Sequence, residues 1–335
     1  MKQPPSILTD SFGRKHNYLR ISLVEKCNLR CTYCMPSEGV QLSPREELMS
    51  ASEVYEIAKV FVSHGVDKIR LTGGEPLLRK DFGEIVEYLS SLPVSLAITT
   101  NGVLLDRYIE ALKKAGVNKL NISIDTLNQD RFKGLTLRDH FHRVMNNIDL
   151  AIKEGFNVKL NVVLIKGQNE DEIIDFIELT KDASVQVRFI EFMPFKGNQW
   201  DLSKTISLET ILDRVSEHYT TSQLERIADE PNDTAKNYKI SDYQGTFAVI
   251  STVTNPFCDS CNRLRLTANG RLRNCLFSDK EQRLLELFRS GASIEPVIAK
   301  SVGMKKAVRA GLDSPEEFEN YQNHQNNRSM IKIGG

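Results

Sequence analysis

Long hydrophobic runs are absent from this sequence of 335 residues. None approaches the roughly 20 consecutive apolar residues that a membrane-spanning helix needs, so no membrane role is expected. Behind the charge of Met1-Lys2-Gln3-Pro4-Pro5 there is no apolar stretch of the kind a secretory signal requires, and the expected location is cytoplasmic. Net charge is also missing, because 44 Lys and Arg balance 44 Asp and Glu. That balance argues against bulk attraction to nucleic acid while leaving room for a local basic pocket. Cysteine occurs only six times. In a chain without a secretory signal, so few thiols argue against a disulfide framework.

What cysteine there is falls into two groups, Cys27, Cys31, Cys34 and Cys258, Cys261, Cys275. Three thiols within eight residues suit a soft metal centre. Around the first group the chain alternates between β-rich and amphipathic segments. Strands are expected over 18–24, 68–72, 94–99, 119–124, 157–164 and 185–190, and helices over 51–63, 82–91, 106–115, 140–154 and 170–180. Ser50 with Glu53 reads as a capping box, and Gly65, Gly116 and Gly155 each sit where a helix C-cap is due. Strand–helix alternation implies a parallel sheet with right-handed crossovers. Six units fall short of the closed eight-unit barrel, leaving a partial barrel or an open doubly wound sheet.

After Pro194 the rhythm breaks. A helix is expected over 208–218, an irregular polar stretch over 228–237 and a strand over 246–253. A hairpin turns at Asn269-Gly270, and two helical runs cover 280–290 and 294–309. From Asp313 the chain is polar and is expected to be mobile until a short apolar end at 330–333. A boundary is expected near residue 235, dividing the chain into 1–235 and 236–335.

Cys27-x-x-x-Cys31-x-x-Cys34 starts just past the first strand, at the end of a parallel sheet where catalytic groups collect. Three thiolates can hold three irons of a four-iron cluster and leave the fourth open, as a catalytic zinc site keeps one position free. Zinc is the competing reading, but no His lies nearby to complete it. Gly73-Gly74-Glu75-Pro76 follows the second strand, where glycine lets backbone approach a ligand; taken alone it is equally an ordinary turn. Thr99 to Gly102 and Ser123 to Asp125 end the third and fourth strands, and their hydroxyls would serve a ligand or a helix N-cap equally well. Cys258-Asp259-Ser260-Cys261-Asn262-Arg263-Leu264-Arg265, with Cys275 further on, again offers three cysteines without a fourth. Arg263 and Arg265, two apart on an expected strand, face one side and suit an anionic substrate.

The first cysteine spacing, with Tyr33 before Cys34, resembles the radical S-adenosylmethionine superfamily. The second motif, together with Asp10-Ser11-Phe12-Gly13-Arg14, Tyr18-Leu19-Arg20, the run from Lys68 to Pro76, the run from Arg188 to Met193 and the terminal Gly334-Gly335, resembles the GTP 3′,8-cyclase family over nearly the whole chain. The resemblance implies a partial (β/α)6 TIM-like barrel, with a C-terminal α+β extension closing the open side and ending in a flexible Gly-Gly tail. It implies a radical lyase of molybdenum cofactor biosynthesis with two [4Fe-4S] clusters, one on Cys27, Cys31 and Cys34 and one on Cys258, Cys261 and Cys275. It assigns Tyr33, Gly74, Ser123 and Met193 to S-adenosyl-L-methionine, and Arg20, Arg70, Thr99, Lys159, Arg263, Leu264 and Arg265 to GTP. Expected partners are GTP, an electron donor such as a reduced flavodoxin-type protein and the next enzyme of the pathway; a homodimer is allowed. Two alternatives compete with this reading. A radical enzyme acting on peptides usually carries more C-terminal cysteines than these three. A non-catalytic iron–sulfur redox sensor has no need for paired arginines beside its thiols.

Overall fold

The computed structural model describes residues 6–35, 39–320 and 327–334. Its centre is a run of parallel strands: β1 (Tyr18–Ser22), β2 (Lys68–Thr72), β3 (Ser95–Thr100), β4 (Lys119–Ser123), β5 (Asn157–Leu164) and β6 (Gln186–Glu191), side by side in chain order. Helices α1 (Ala51–Ser63), α2 (Phe82–Ser90), α3 (Ile109–Lys114), α4 (Gln129–Thr136), α5 (Phe141–Lys153) and α6 (Ile173–Asp182) fill the crossovers. At the start of α1 both halves of the capping box form. Ser50 Oγ accepts from the Glu53 amide at 3.2 Å, and Glu53 Oε2 accepts from the Ser50 amide at 2.7 Å.

The chain after α7 (Leu208–His218) returns to the same sheet. It adds β7 (Leu224–Ile227), β8 (Lys236–Ile240), β9 (Thr246–Ile250), β10 (Arg263–Leu266), β11 (Arg271–Arg273) and β12 (Gln282–Arg283). β9 pairs parallel with β6 at one edge, and β10 pairs parallel with β1 at the other. The result is one sheet of twelve strands, order β12-β11-β10-β1-β2-β3-β4-β5-β6-β9-β8-β7, curved as a partial barrel and not closed on itself. Short helices α8 (Leu284–Arg289) and α9 (Glu295–Gly303) follow, and a helical turn at Met330–Ile333 ends the described chain. The tail departs from the mobile segment expected from its polarity. Phe318 is fully buried, 4.9 Å from the Phe277 ring, and Ile331 and Ile333 are buried as well. Residues 321–326 and Gly335 lie outside the described residues.

The period of two along each parallel strand divides the two faces of the sheet. Leu19, Ile21, Ile69, Leu71, Leu120, Ile122, Val187, Phe189, Leu264 and Leu266 point outward into the core beneath the helices. Their neighbours Arg20, Thr72, Asn121, Ser123, Asn161, Arg188, Arg263 and Arg265 point inward. A closed eight-unit barrel packs its interior with branched apolar residues; this one leaves a cavity there and sets arginines, asparagines and hydroxyls among the apolar side chains of its wall, so the interior is a site and not a core.

Candidate active site

One cavity of about 320 Å³ occupies the barrel interior. All six cysteines line it. Register explains the convergence: Tyr18 lies opposite Arg263 and Arg20 opposite Arg265 in the parallel β1–β10 pair, so motifs far apart in the chain share one rim.

The first trio sits on the loop after β1. That loop is fixed by main chain: the Gly74 amide donates to the Val24 carbonyl at 2.7 Å and the Glu75 amide to the Lys26 carbonyl at 2.8 Å. Gly74 lies so close that a Cβ there would come within 2.4 Å of the Lys26 carbonyl oxygen. Gly74→Ala must therefore displace the backbone that presents Cys27. We expect it to lower bound iron at the first trio and to cut S-adenosylmethionine cleavage at least about tenfold, read by iron assay and 5′-deoxyadenosine yield. Glu75, fully buried, gathers the Thr100 hydroxyl and the Leu77 and Asn101 amides. Asn101 in turn directs its side-chain amide at Cys27 Sγ, 3.6 Å away. Across the trio, the Tyr33 hydroxyl donates to Asp125 Oδ2 at 2.6 Å.

Of the other residues singled out from the sequence, Tyr33, Gly74, Ser123, Met193, Arg20, Thr99, Arg263 and Arg265 line the cavity, and Arg70, Lys159 and Leu264 do not. Arg70 stands on the inward face beside Arg20, donating to the Tyr18 hydroxyl at 2.5 Å and to Thr99 Oγ1 at 3.4 Å. Lys159 is half-buried, and burial together with Arg188 pushes its amine down to about 8. Leu264 turns its side chain outward into the core, so only its main chain is left to serve a ligand. The described end of the tail reaches inside: Arg265 Nη1 donates to the Gly334 carbonyl at 3.0 Å, and Gly334 lies against Ser22 and Thr72.

Residues 21–180 match the Radical SAM superfamily and residues 185–310 match Molybdenum Cofactor Synthesis C. The mitochondrial GTP 3′,8-cyclase of Arabidopsis thaliana is 48% identical over 98% of this chain and 84% of its own length. The GTP 3′,8-cyclase of Listeria monocytogenes is 41% identical over 98% of this chain and 99% of its own. The chain belongs to the GTP 3′,8-cyclase family. Human molybdenum cofactor biosynthesis protein 1 is 46% identical over 94% of this chain, which spans about half of that longer relative. Among solved structures, Streptococcus suis SuiB bound to S-adenosylmethionine superposes with a TM-score of 0.58, covering 81% of this chain and 65% of SuiB. At 17% identity that likeness speaks for the fold alone.

Membership in this radical superfamily brings a [4Fe-4S] cluster and S-adenosylmethionine, and the first trio has the donors for them. Cys27, Cys31 and Cys34 share one buried cavity wall, and burial together with one another's charge raises the Cys31 and Cys34 thiols. Among the described residues no group of three or more His, Cys, Asp or Glu side chains is gathered to hold a single metal ion. A four-iron cluster asks for a wider set, one thiolate on each of three irons.

The two trios differ in charge. Burial and the nearby Glu75 carboxyl push Cys27 up to about 11, while burial and Cys27 push Cys34 up to about 12. At the second trio burial would also raise Cys261, but Arg263 and Lys305 outweigh it and hold the thiol at about 6. In metal-free protein at pH 7, Cys261 is then largely thiolate and Cys27 and Cys34 are thiols. We expect iodoacetamide at pH 7 to label Cys261 first, and labelling of Cys27 and Cys34 to accelerate as pH climbs past 9 while that of Cys261 has levelled off. Equal labelling of all six cysteines, followed by peptide mass spectrometry, would contradict this.

Inside the barrel positive charge is in surplus. Burial first, then the neighbouring guanidiniums, push Arg20 and Arg188 down to about 10. Burial would raise the Tyr18 hydroxyl, yet Arg70, Arg20 and Lys68 pull it down to about 7. Arg188 Nε and Asn161 Oδ1 are buried without a hydrogen-bond partner among the described residues. Neither residue was assigned to a ligand from the sequence, although Arg188 opens one of the runs that carry the family resemblance. The signal was the alternation itself, since apolar neighbours facing outward leave Lys159, Asn161 and Arg188 on the inner face.

Proposed function

We propose that this protein cyclises GTP to (8S)-3′,8-cyclo-7,8-dihydroguanosine 5′-triphosphate with S-adenosylmethionine, as the first step of molybdenum cofactor biosynthesis. The observation that carries the reading is that both cysteine trios line one cavity together with Arg20, Arg263 and Arg265. Held by Cys27, Cys31 and Cys34, the first cluster would supply the electron for reductive cleavage of S-adenosylmethionine, and with it the hydrogen abstraction at ribose C3′ that lets that carbon bond to guanine C8; one further electron and a proton would complete the dihydro product. The chain itself supplies position and exclusion. Gly74, Ser123, Tyr33 and Met193 form the wall for S-adenosylmethionine, with Asp125 holding the Tyr33 hydroxyl in place. Arg20, Arg263 and Arg265, backed by Arg70 and Lys159, meet the triphosphate. Cys258, Cys261 and Cys275 would hold a second [4Fe-4S] cluster, which would help to position the guanine.

The division of labour falls near residue 235: the part before it makes the radical, and the part after it brings the second trio and the tail. We place the protein in the cytoplasm, where thiols stay reduced. A flavodoxin-type electron donor, transfer of product to the next enzyme and a homodimer belong to the same proposal. Among the described residues no helix is long and apolar enough to cross a membrane.

Anaerobic reconstitution with iron and sulfide, followed by incubation with S-adenosylmethionine, a reductant and GTP, tests the reading. We expect 5′-deoxyadenosine and cyclised nucleotide in step by mass spectrometry. Deoxyadenosine formed with no loss of GTP overturns the substrate, and no deoxyadenosine at all overturns the enzyme.

A further inference from the structure

The segment after α9 runs along the outer side of the second cysteine trio. Lys305 is only 5% exposed, and no carboxylate among the described residues pairs with its ammonium. Its Nζ donates instead to Cys261 Sγ at 3.4 Å and to the Arg263 carbonyl at 3.0 Å. Four residues on, the Arg309 amide donates to Cys258 Sγ at 3.4 Å. To aim that amide, Arg309 takes a φ of +37°, and Ala310 follows at +63°. Left-handed backbone at two consecutive non-glycine residues is unfavourable and needs support. Arg309 gets it through its guanidinium, which donates to the Val253, Leu312 and Asp313 carbonyls. Arg14 fixes the stretch between: one guanidinium donates to the carbonyls of Cys258 at 2.8 Å, Lys306 at 2.7 Å and Ala307 at 2.8 Å.

A buried ammonium is costly unless an opposite charge stands against it. Arg14 and Arg263 stand near Lys305 with like charge, the Asp10 carboxylate in the same region is taken up by Arg14 and His16, and the acceptors that the Lys305 ammonium reaches are a sulfur and a carbonyl. The anion that completes the arrangement is a thiolate-ligated metal centre, whose cysteine sulfurs bring net negative charge.

We propose that Lys305 is a positioning residue of the second iron–sulfur centre: its ammonium, pinned by the Arg263 carbonyl and the Arg14-tied segment, is the built-in counter-charge of the cluster and sets how tightly it is held and how readily it is reduced. The proposal rests on the reading that the second trio binds a cluster. Hydrogen bonds and fixed charge next to cysteine sulfur are established levers on iron–sulfur potential.

The test uses the full chain with Cys27, Cys31 and Cys34 all replaced by serine, so that iron reports on the second trio alone. In this background Lys305→Met removes the charge, Lys305→Gln checks that a polar isostere behaves alike, and Lys305→Arg keeps the charge. After anaerobic reconstitution, redox titration followed by electron paramagnetic resonance gives the midpoint potential. Removing a positive charge disfavours the more negative reduced state, so Lys305→Met and Lys305→Gln should lower the potential. We expect at least a tenfold shift in the equilibrium, about 59 mV for one electron. Iron loss to a chelator should quicken at least threefold, and Lys305→Arg should stay within twofold of the parent. A second readout separates charge from packing: Lys305→Met should lower the melting temperature more with metal bound than without, whereas a loss of packing alone would lower both alike. A parent that takes up no iron overturns the second-centre reading itself. A parent that takes up iron, with all three variants matching its potential and chelator rate or all three shifted alike, overturns the role of Lys305 alone.

Discussion

Replacing Cys27 by alanine is expected to abolish 5′-deoxyadenosine formation altogether. Cys27 is one of only three thiols at the first trio, and it sits inside the shared cavity with its sulfur facing the Asn101 amide. With burial and the Glu75 carboxyl holding the free thiol near 11, Cys27 carries little negative charge of its own until iron displaces its proton. Two cysteines cannot hold a cluster that three were placed to hold, and no fourth Cys or His is gathered there among the described residues to substitute. The loss should appear as about four fewer irons per chain than in the parent. Because Cys27 is only partly buried and lines a cavity, its truncation removes little packing, so the melting temperature of metal-free protein should barely change. Retained cleavage with the full iron count would remove the first trio from the chemistry.

The barrel strands could be read from the sequence because each carries its own local signal. β2 and β5 fall where alternation placed them, and the others differ by a residue or two at their ends. The Ser50–Glu53 box was legible for the same reason, since both partners lie within one turn. Elements with weak local patterns escaped. Helix α4 (Gln129–Thr136) buries only Phe132, Leu135 and Thr136, too few to stand out as a stripe. Strands β7 and β8 pair mainly with each other and with β9 at the sheet edge, where half their residues face solvent and the apolar rhythm is thin. Six parallel strands were expected. The parallel run has eight, because β9 and β10 arrive from the far end of the chain, where no strand–helix alternation announces them.

The same asymmetry governs the site. Residue types and spacings marked the candidate side chains, since three clustered thiols or two arginines on one strand face is a local fact. Their meeting in one cavity is not local: it depends on β10 lying beside β1 in register. Lys305 illustrates the limit. In sequence it is one lysine among 44 basic residues, and only its burial against Cys261 distinguishes it.

Arg265→Ala is expected to weaken GTP binding by about a hundredfold while changing guanosine binding by no more than about threefold. The guanidinium is buried on the inner face, held near Arg20 and Arg263, and no carboxylate among the described residues neutralises it. Burial and those two arginines pull its pKa strongly down, a repulsion that a bound polyphosphate would relieve. Two charge-assisted bonds at ~1.5–3 kcal/mol each amount to ~3–6 kcal/mol, and the low end already corresponds to about two powers of ten. Arg265→Lys should recover only part, because an ammonium keeps the charge and loses the planar fork. The competing role is structural, since the same side chain holds the Gly334 carbonyl at 3.0 Å and its loss could free the tail. A loosened tail would reshape the cavity for any occupant, so GTP and guanosine would weaken together. Equilibrium binding of both, at low and at raised salt, separates the roles: a phosphate contact gives a loss confined to GTP that shrinks as salt rises, and equal losses at both salts assign Arg265 to the tail.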